Sequence, residues 1–285
     1  MNVPPARERF LTASTYLSSR AFPSTLLSSS PSLVRRPDSC PVLIPGIDAL
    51  NHARAQPVSW VIASSSESAQ HGDTTSASAS TSSISLVSHS ASKPGTEIFN
   101  NYGVKPNSEL LLGYGFTLPA NPDDTIVLKI GGTRESPSAS ADAPAAAAHA
   151  GYEVGREARG AAAVWDAIMD AVRTAAEGGE EEEAPEWQMI LDSADILRSM
   201  TESLLGRLPS LVPPEVPERD AVGSLRGDVV EMIRHYVSGQ REVLQDLLQY
   251  AEDREMDGVA MARQEGIVIE LQGEEDDVSE CHQND

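Results

Sequence analysis

The sequence predicts an α+β chain whose β-rich part precedes its helical part. Three observations carry this. Short apolar, β-branched runs recur between Pro, Gly and Ser turn signals as far as Ile130, and a low-complexity block of alanines and prolines, Glu135 to Ala150, then breaks the pattern. Beyond that block, leucines and valines recur at helical spacing. Strands first and helices later indicate α+β or two domains, and 285 residues suffice for one or two cores. There is no internal repeat.

The first element is a helix over Arg7 to Leu17, with Phe10, Ala13, Thr15 and Leu17 loosely periodic. Pro23 holds Phe22 in extended geometry and closes the segment Ser18 to Pro23. A Ser-rich loop with Pro31 and Pro37 follows. Pro41 to Ile47 is apolar, but its two prolines argue against a central strand. It reads as a buried approach to the turn Asp48-Ala49-Leu50-Asn51-His52. Val58 to Ala63 is a strand containing Trp60, and Ile84 to Val87 is another. The Ser/Thr/Ala tract between them, Ser64 to Ser83, lacks periodicity and reads as a disordered insertion. Lys93-Pro94-Gly95 is a turn, and Glu97-Ile98-Phe99 is a short strand running into Asn100-Asn101-Tyr102-Gly103. Ser108 to Gly113 is a short helix with Asn107 as its N-cap. Thr125 to Ile130 is a strand closed by Gly131-Gly132.

After Ala150 everything reads as helical. Trp187, Ile190, Leu191, Ala194, Leu197, Leu204, Leu205 and Leu208 mark one apolar face. Val222, Leu225, Val229, Ile233, Tyr236, Gln240, Val243, Leu244 and Leu247 mark a second, longer helix. These stripes are core first and partner surface second. Gly179 to Glu183 reads as an acidic loop, and an acidic tail begins at about Glu274.

The formal charge is −22, from 43 acidic and 21 basic residues. Such a surface repels phosphate backbones and excludes a nucleic-acid-binding role, while it attracts a basic protein partner of the ribosomal-protein, elongation-factor or histone class. The same charge also serves solubility alone. Cys40 and Cys281 are far apart and the six histidines are scattered, so no metal site is expected and a reducing compartment is. No run approaches the roughly 20 apolar residues of a membrane span, and Met1 to Phe10 lacks the apolar stretch of a signal peptide. No membrane partner is expected, and the expected location is the cytoplasm, the nucleus or both.

The chemistry is written in Asp48-x-x-Asn51-His52 and in the run from Glu97 through Tyr102-Gly103, Asn107, Glu109 and Tyr114 to Phe116. Together, and in this order, they resemble the SET domain of the group containing Rubisco large-subunit methyltransferase and the fungal ribosomal-protein lysine methyltransferases. Ser19-Arg20-Ala21-Phe22 matches that group's segment before the Asn-His turn, and Tyr236 to Leu244 resembles the last helix of its substrate-binding domain. The resemblance covers Arg7 to Ile130, and more loosely Glu186 to Ala251. It implies a partial β-rich SET fold with a pseudoknot, followed by an α-helical domain. Residues 1–134 would be the C-terminal part of the SET domain and 135–150 a linker. Residues 151–273 would be a helical substrate-binding domain of Rubisco-methyltransferase type, and 274–285 the tail.

The implied activity is protein-lysine N-methylation with S-adenosyl-L-methionine as cofactor; close relatives methylate histidine, and that acceptor stays open. By resemblance Asn51 and His52 contact the cofactor, although Asn51 alone reads as an Asx-turn residue and His52 as a core histidine. Tyr102 is the expected catalytic residue, holding a neutral lysine amine in line with the methyl group; the plain alternative is an aromatic plug at a strand end. Tyr114 and Phe116 wall the cofactor site or the lysine channel, or only fill the core. Arg20 and Asp48 match substrate-facing positions, or else form a pair that braces the loop. Glu109 caps or solvates its helix. Gly113-x-Gly115 and Gly131-Gly132 are turn glycines, because neither has the context of a nucleotide loop.

SET domains begin with a strand pair and a glycine-containing loop around the cofactor, and nothing before Phe10 supplies it. The expectation is a C-terminal portion that binds S-adenosylmethionine weakly and is poorly active. The rival expectation is a non-catalytic protein-interaction module derived from a SET protein.

Overall fold

Helix α1, Ala6–Arg20, is the first element of the computed structural model, which describes residues 6–28, 32–34, 36–64, 82–130, 151–177, 184–210 and 226–269. It runs past the expected end at Leu17 as far as Arg20, with its serines bonded back to the preceding turn. Ser18 Oγ and Ser19 Oγ donate to the Thr15 carbonyl at 3.0 and 2.7 Å. Phe22, held extended by Pro23, then stops it. Strand β1, Phe22–Pro23, pairs antiparallel with β2, Pro41–Val42. Two prolines without N–H groups keep this ladder to two residues. Between the strands a 3-10 turn, Ser24–Leu27, buries Leu26.

Strands β3, Val58–Ser64, and β4, Ser82–Ser88, form an antiparallel ribbon in which Trp60 faces Leu86 and Ile62 faces Ile84. The period of two puts these apolar residues on one half-buried face and Ser59, Val61 and Ser85 on the other. The edge of the Phe22 ring meets Trp60 at 5.1 Å between centroids, which ties the ribbon to β1. Most of the expected Ser64 to Ser83 insertion lies outside the described residues.

Lys93-Pro94-Gly95 is a turn as expected, with Gly95 at φ +84°. The expected strand Glu97 to Phe99 does not form. The turn at Arg54 and Ala55, where Ala55 has φ +59°, carries the neighbouring chain away. Only one parallel bridge, His52 to Asn100, is left. Helix α2, Asn107–Tyr114, corrects two expectations. Pro106, not Asn107, is the cap residue, and Asn107 is a fully buried member of the helix. Gly113 lies inside the helix, whereas Gly115 is the left-handed C-cap at φ +76°.

The described chain divides into two compact units, residues 1–117 and 118–285. In the second, β5, Thr125–Leu128, pairs antiparallel with β6, Tyr152–Gly155. A strand therefore follows Ala150, where only helices were expected. Ile126 and Leu128 point inward while Val127 is exposed, and helices α3, Ala161–Glu177, α4, Glu186–Arg207, and α5, Gly227–Gln264, complete the core. Leu197, Val243, Leu244 and Leu247 of the predicted stripes are buried with Val154, Val164 and Ile168. Gln240, read as part of an apolar stripe, instead donates from Nε2 to the Thr125 carbonyl at 3.0 Å. Gly239 beside it is required, because a Cβ there would lie 2.0 Å from Oδ2 of the fully buried Asp124. Val222, Leu225, Gly131-Gly132, the Gly179 to Glu183 loop and the tail fall outside the described residues.

Candidate functional site

The site is built where two segments distant in sequence are laced by their backbones. Asn100 N–H donates to the Asn51 carbonyl at 2.8 Å, and Ala53 N–H donates to the Asn100 carbonyl at 2.9 Å. This lacing brings the Asn-His and Tyr-Gly segments side by side. The Tyr102 N–H then donates to Nδ1 of His52 at 3.0 Å. An accepting Nδ1 is unprotonated, so neutral His52 carries its hydrogen on Nε2. Gly103 follows at φ +95°, a left-handed turn that suits glycine.

Arg20, the last residue of α1, clasps the turn. Its Nη1 donates to the carbonyls of Asp48 and Leu50 and to the Tyr102 hydroxyl, each at 3.2 Å. Its Nη2 donates to Oδ1 of Asn51 at 2.8 Å. The Tyr102 hydroxyl in turn donates to the Leu50 carbonyl at 2.7 Å. Burial raises the Tyr102 pKa, with the Arg20 charge working against that and Tyr114 adding to it. The phenol is therefore a neutral hydrogen-bonding group at any ordinary pH.

Four rings surround this polar knot. His52 stacks on Tyr102 at 5.1 Å between centroids, Tyr102 lies 4.9 Å from Tyr114, and Phe116 is 6.0 Å from His52 and 6.3 Å from Tyr114. A cavity of about 310 Å³ opens among Ser19, Arg20, Asn51, His52, Tyr102, Tyr114 and Phe116. Aromatic faces of this kind attract cations, and the amide, phenol and imidazole offer oriented polar contacts. Among the described residues no three His, Cys, Asp or Glu side chains converge in a way that could hold a metal. No described helix is long and apolar enough to cross a membrane.

No protein-family profile matches the sequence, and no curated protein does. Solved structures do. The SET domain of LSMT bound to lysine and AdoHcy superposes with a TM-score of 0.57 at 18% identity, over 96% of this chain and 62% of that one. Rubisco LSMT bound to sinefungin and monomethyllysine gives 0.55 at 18% identity, over 94% and 61%.

The fold is that of a SET domain.

The chain spans about three-fifths of the length of those SET structures. Within the SET fold, six of the seven sequence-predicted site residues, Arg20, Asn51, His52, Tyr102, Tyr114 and Phe116, line one cavity. Asp48 does not line it, and reaches the site only through its main-chain carbonyl, bound by Arg20. The expected Arg–Asp brace is thus made by a carbonyl and not by the carboxylate. Glu109 pairs with Lys105 one helical turn earlier instead of capping its helix. Ser19 lines the cavity unpredicted, although it adjoins Arg20. Sequence reasoning missed two further residues. Lys105 Nζ sits 5.6 Å over the Tyr114 ring, and Glu97 Oε1 accepts from Nδ2 of Asn51 at 2.7 Å. Neither contact has a local sequence signal.

Proposed function

We propose that this chain is the core of an S-adenosylmethionine-dependent protein-lysine N-methyltransferase of SET type. The observation that carries the reading is the convergence of Asn51, His52 and Tyr102 on one aromatic-walled cavity. The solved SET structures that share the fold hold AdoHcy or sinefungin together with lysine or methyllysine, which supports the same pairing here.

The residues present suit the cofactor. Asn51 keeps one amide hydrogen for an acceptor, His52 lines the same cavity, and the Tyr102, Tyr114 and Phe116 faces suit a sulfonium cation. When bound, S-adenosylmethionine would supply an electrophilic methyl group on its sulfonium sulfur.

The chain's own part is positioning. Lysine ordinarily holds its proton to a pH of about 10.4. With the sulfonium in the cavity, a cationic amine beside it would be disfavoured by desolvation and by like charge. In this reading Tyr102 holds the neutral amine through its hydroxyl, which stays fixed between Leu50 and Arg20. Tyr114 and Phe116 wall the channel, and Arg20 braces it through its bond to the Asp48 carbonyl. The net charge of −22 favours a basic protein substrate of the ribosomal, elongation-factor or histone class, met in the cytoplasm or nucleus.

Weak cofactor binding belongs to the proposal. The cavity lies at the small end of the roughly 300–1,000 Å³ typical of such sites. A second reading, a non-catalytic interaction module, draws on exposed apolar residues of the first unit: Phe10, Tyr16, Val104 and Leu112.

The deciding experiment is transfer of labelled methyl from S-adenosylmethionine to proteins of a cell lysate, with Tyr102→Phe as control. Label that the parent incorporates and the variant does not supports the enzyme. Label equal in both removes Tyr102 from its role, and absence of label from the parent favours the interaction module.

A further inference from the structure

Asn51 is held at both ends of its side-chain amide. Oδ1 accepts from Nη2 of Arg20 at 2.8 Å, and Nδ2 donates to Oε1 of Glu97 at 2.7 Å. The two partners are complementary in kind, since a guanidinium can only donate and a carboxylate can only accept. A flipped amide would set N–H against N–H on the Arg20 side and oxygen against oxygen on the Glu97 side. Asn51 therefore has one permitted orientation here, whereas an amide with ambivalent partners has two.

The orientation matters because Asn51 lines the cavity. With one hydrogen committed to Glu97, its second amide hydrogen and the free lone pair of Oδ1 are left in fixed directions for a ligand. Arg20 also donates to the Tyr102 hydroxyl, so the same guanidinium links the amide to the phenol. A chain of contacts runs Glu97, Asn51, Arg20, Tyr102.

We propose that Glu97 is a positioning residue of the site: it sets which polar face Asn51 presents to the cofactor, and through Arg20 it steadies the Tyr102 hydroxyl. The inference rests on the cofactor reading above. Glu97 is exposed and belongs to no helix or strand, so its removal should barely affect folding. That separates it from a structural residue.

The test uses the full chain as parent, Glu97→Ala and Glu97→Gln. S-adenosylhomocysteine affinity is measured by calorimetry and the Asn51 side-chain amide by ¹⁵N NMR, assigned from the spectrum of Asn51→Asp. The expected result is about tenfold weaker binding in Glu97→Ala, the scale of one lost hydrogen bond to a charged group. Its melting temperature should stay within a degree or two of the parent, and its Asn51 amide pair should shift. Glu97→Gln retains an oxygen acceptor and should recover the affinity to within about threefold. Unchanged affinity and an unshifted Asn51 pair in Glu97→Ala would overturn the proposal. A parent that binds no S-adenosylhomocysteine defeats the cofactor reading instead. The role of Glu97 is then decided by the Asn51 resonances, where a shift in Glu97→Ala supports it and none overturns it.

Discussion

The main-chain N–H of Tyr102 bonds to Nδ1 of His52, so the two segments that define the site share a contact through a specific ring nitrogen. His52→Ala removes that acceptor and the ring stacked on Tyr102. A half-buried N–H left without its partner costs about 1–3 kcal/mol. The urea midpoint of the first unit should fall accordingly, and S-adenosylhomocysteine affinity should fall with it. A variant with parental midpoint and affinity would show the contact to be incidental.

The raised Tyr102 pKa gives a pH dependence with a definite sign. Burial favours the neutral phenol, and this outweighs the opposing Arg20 charge. The folded form therefore holds the proton more tightly than the unfolded form. The associated stability is fully present below about pH 10, the ordinary tyrosine value, and is lost as pH rises through the higher folded value. Ultraviolet absorbance titration of parent minus Tyr102→Phe should give a midpoint above 10. A midpoint below 10 would mean that Arg20 dominates.

Arg20→Lys tests the clasp. One ammonium cannot span the carbonyls, the Tyr102 hydroxyl and the Asn51 amide as the planar fork does. With a substrate in hand, kcat should drop about tenfold or more while KM for the protein substrate changes little, as for a lost interaction that positions the reacting groups. The opposite split, a raised KM with unchanged kcat, would return Arg20 to the substrate-facing role expected from the sequence.

Gly239→Ala should destabilise the second unit. Its new Cβ would meet Oδ2 of Asp124 at 2.0 Å and Cγ at 2.7 Å, and the buried aspartate has little room to retreat. Overpacking of this kind costs about 1–3 kcal/mol, read as a lower midpoint for helix melting by circular dichroism. An unchanged midpoint would show that Asp124 moves freely.

Much of the site was legible because its signals are local and ordered. Asn51-His52, Tyr102-Gly103 and Tyr114 to Phe116 follow in an order that resembles a SET domain, and the structure gathers them around one cavity. Strands β3 and β4 were legible as short apolar runs, though not their pairing, and α4 and α5 from their leucine stripes. The misses share a physical cause, dependence on a partner far along the chain. Glu97 to Phe99 has strand composition but forms no strand, and the one bridge nearby, to His52, falls on Asn100. Tyr152–Gly155 is too short to show a period, and is a strand because Thr125–Leu128 pairs with it. Glu97 reaches Asn51 across 46 residues, and no local pattern encodes such a reach.

Helix α1 buries none of its own residues, yet its last residue supplies four of the bonds that hold the site. It behaves as a lever with its short arm in the cavity. Fraying of its final turn would loosen the phenol and the amide together. A helix that buries none of its residues thus has direct mechanical access to the groups lining the cavity.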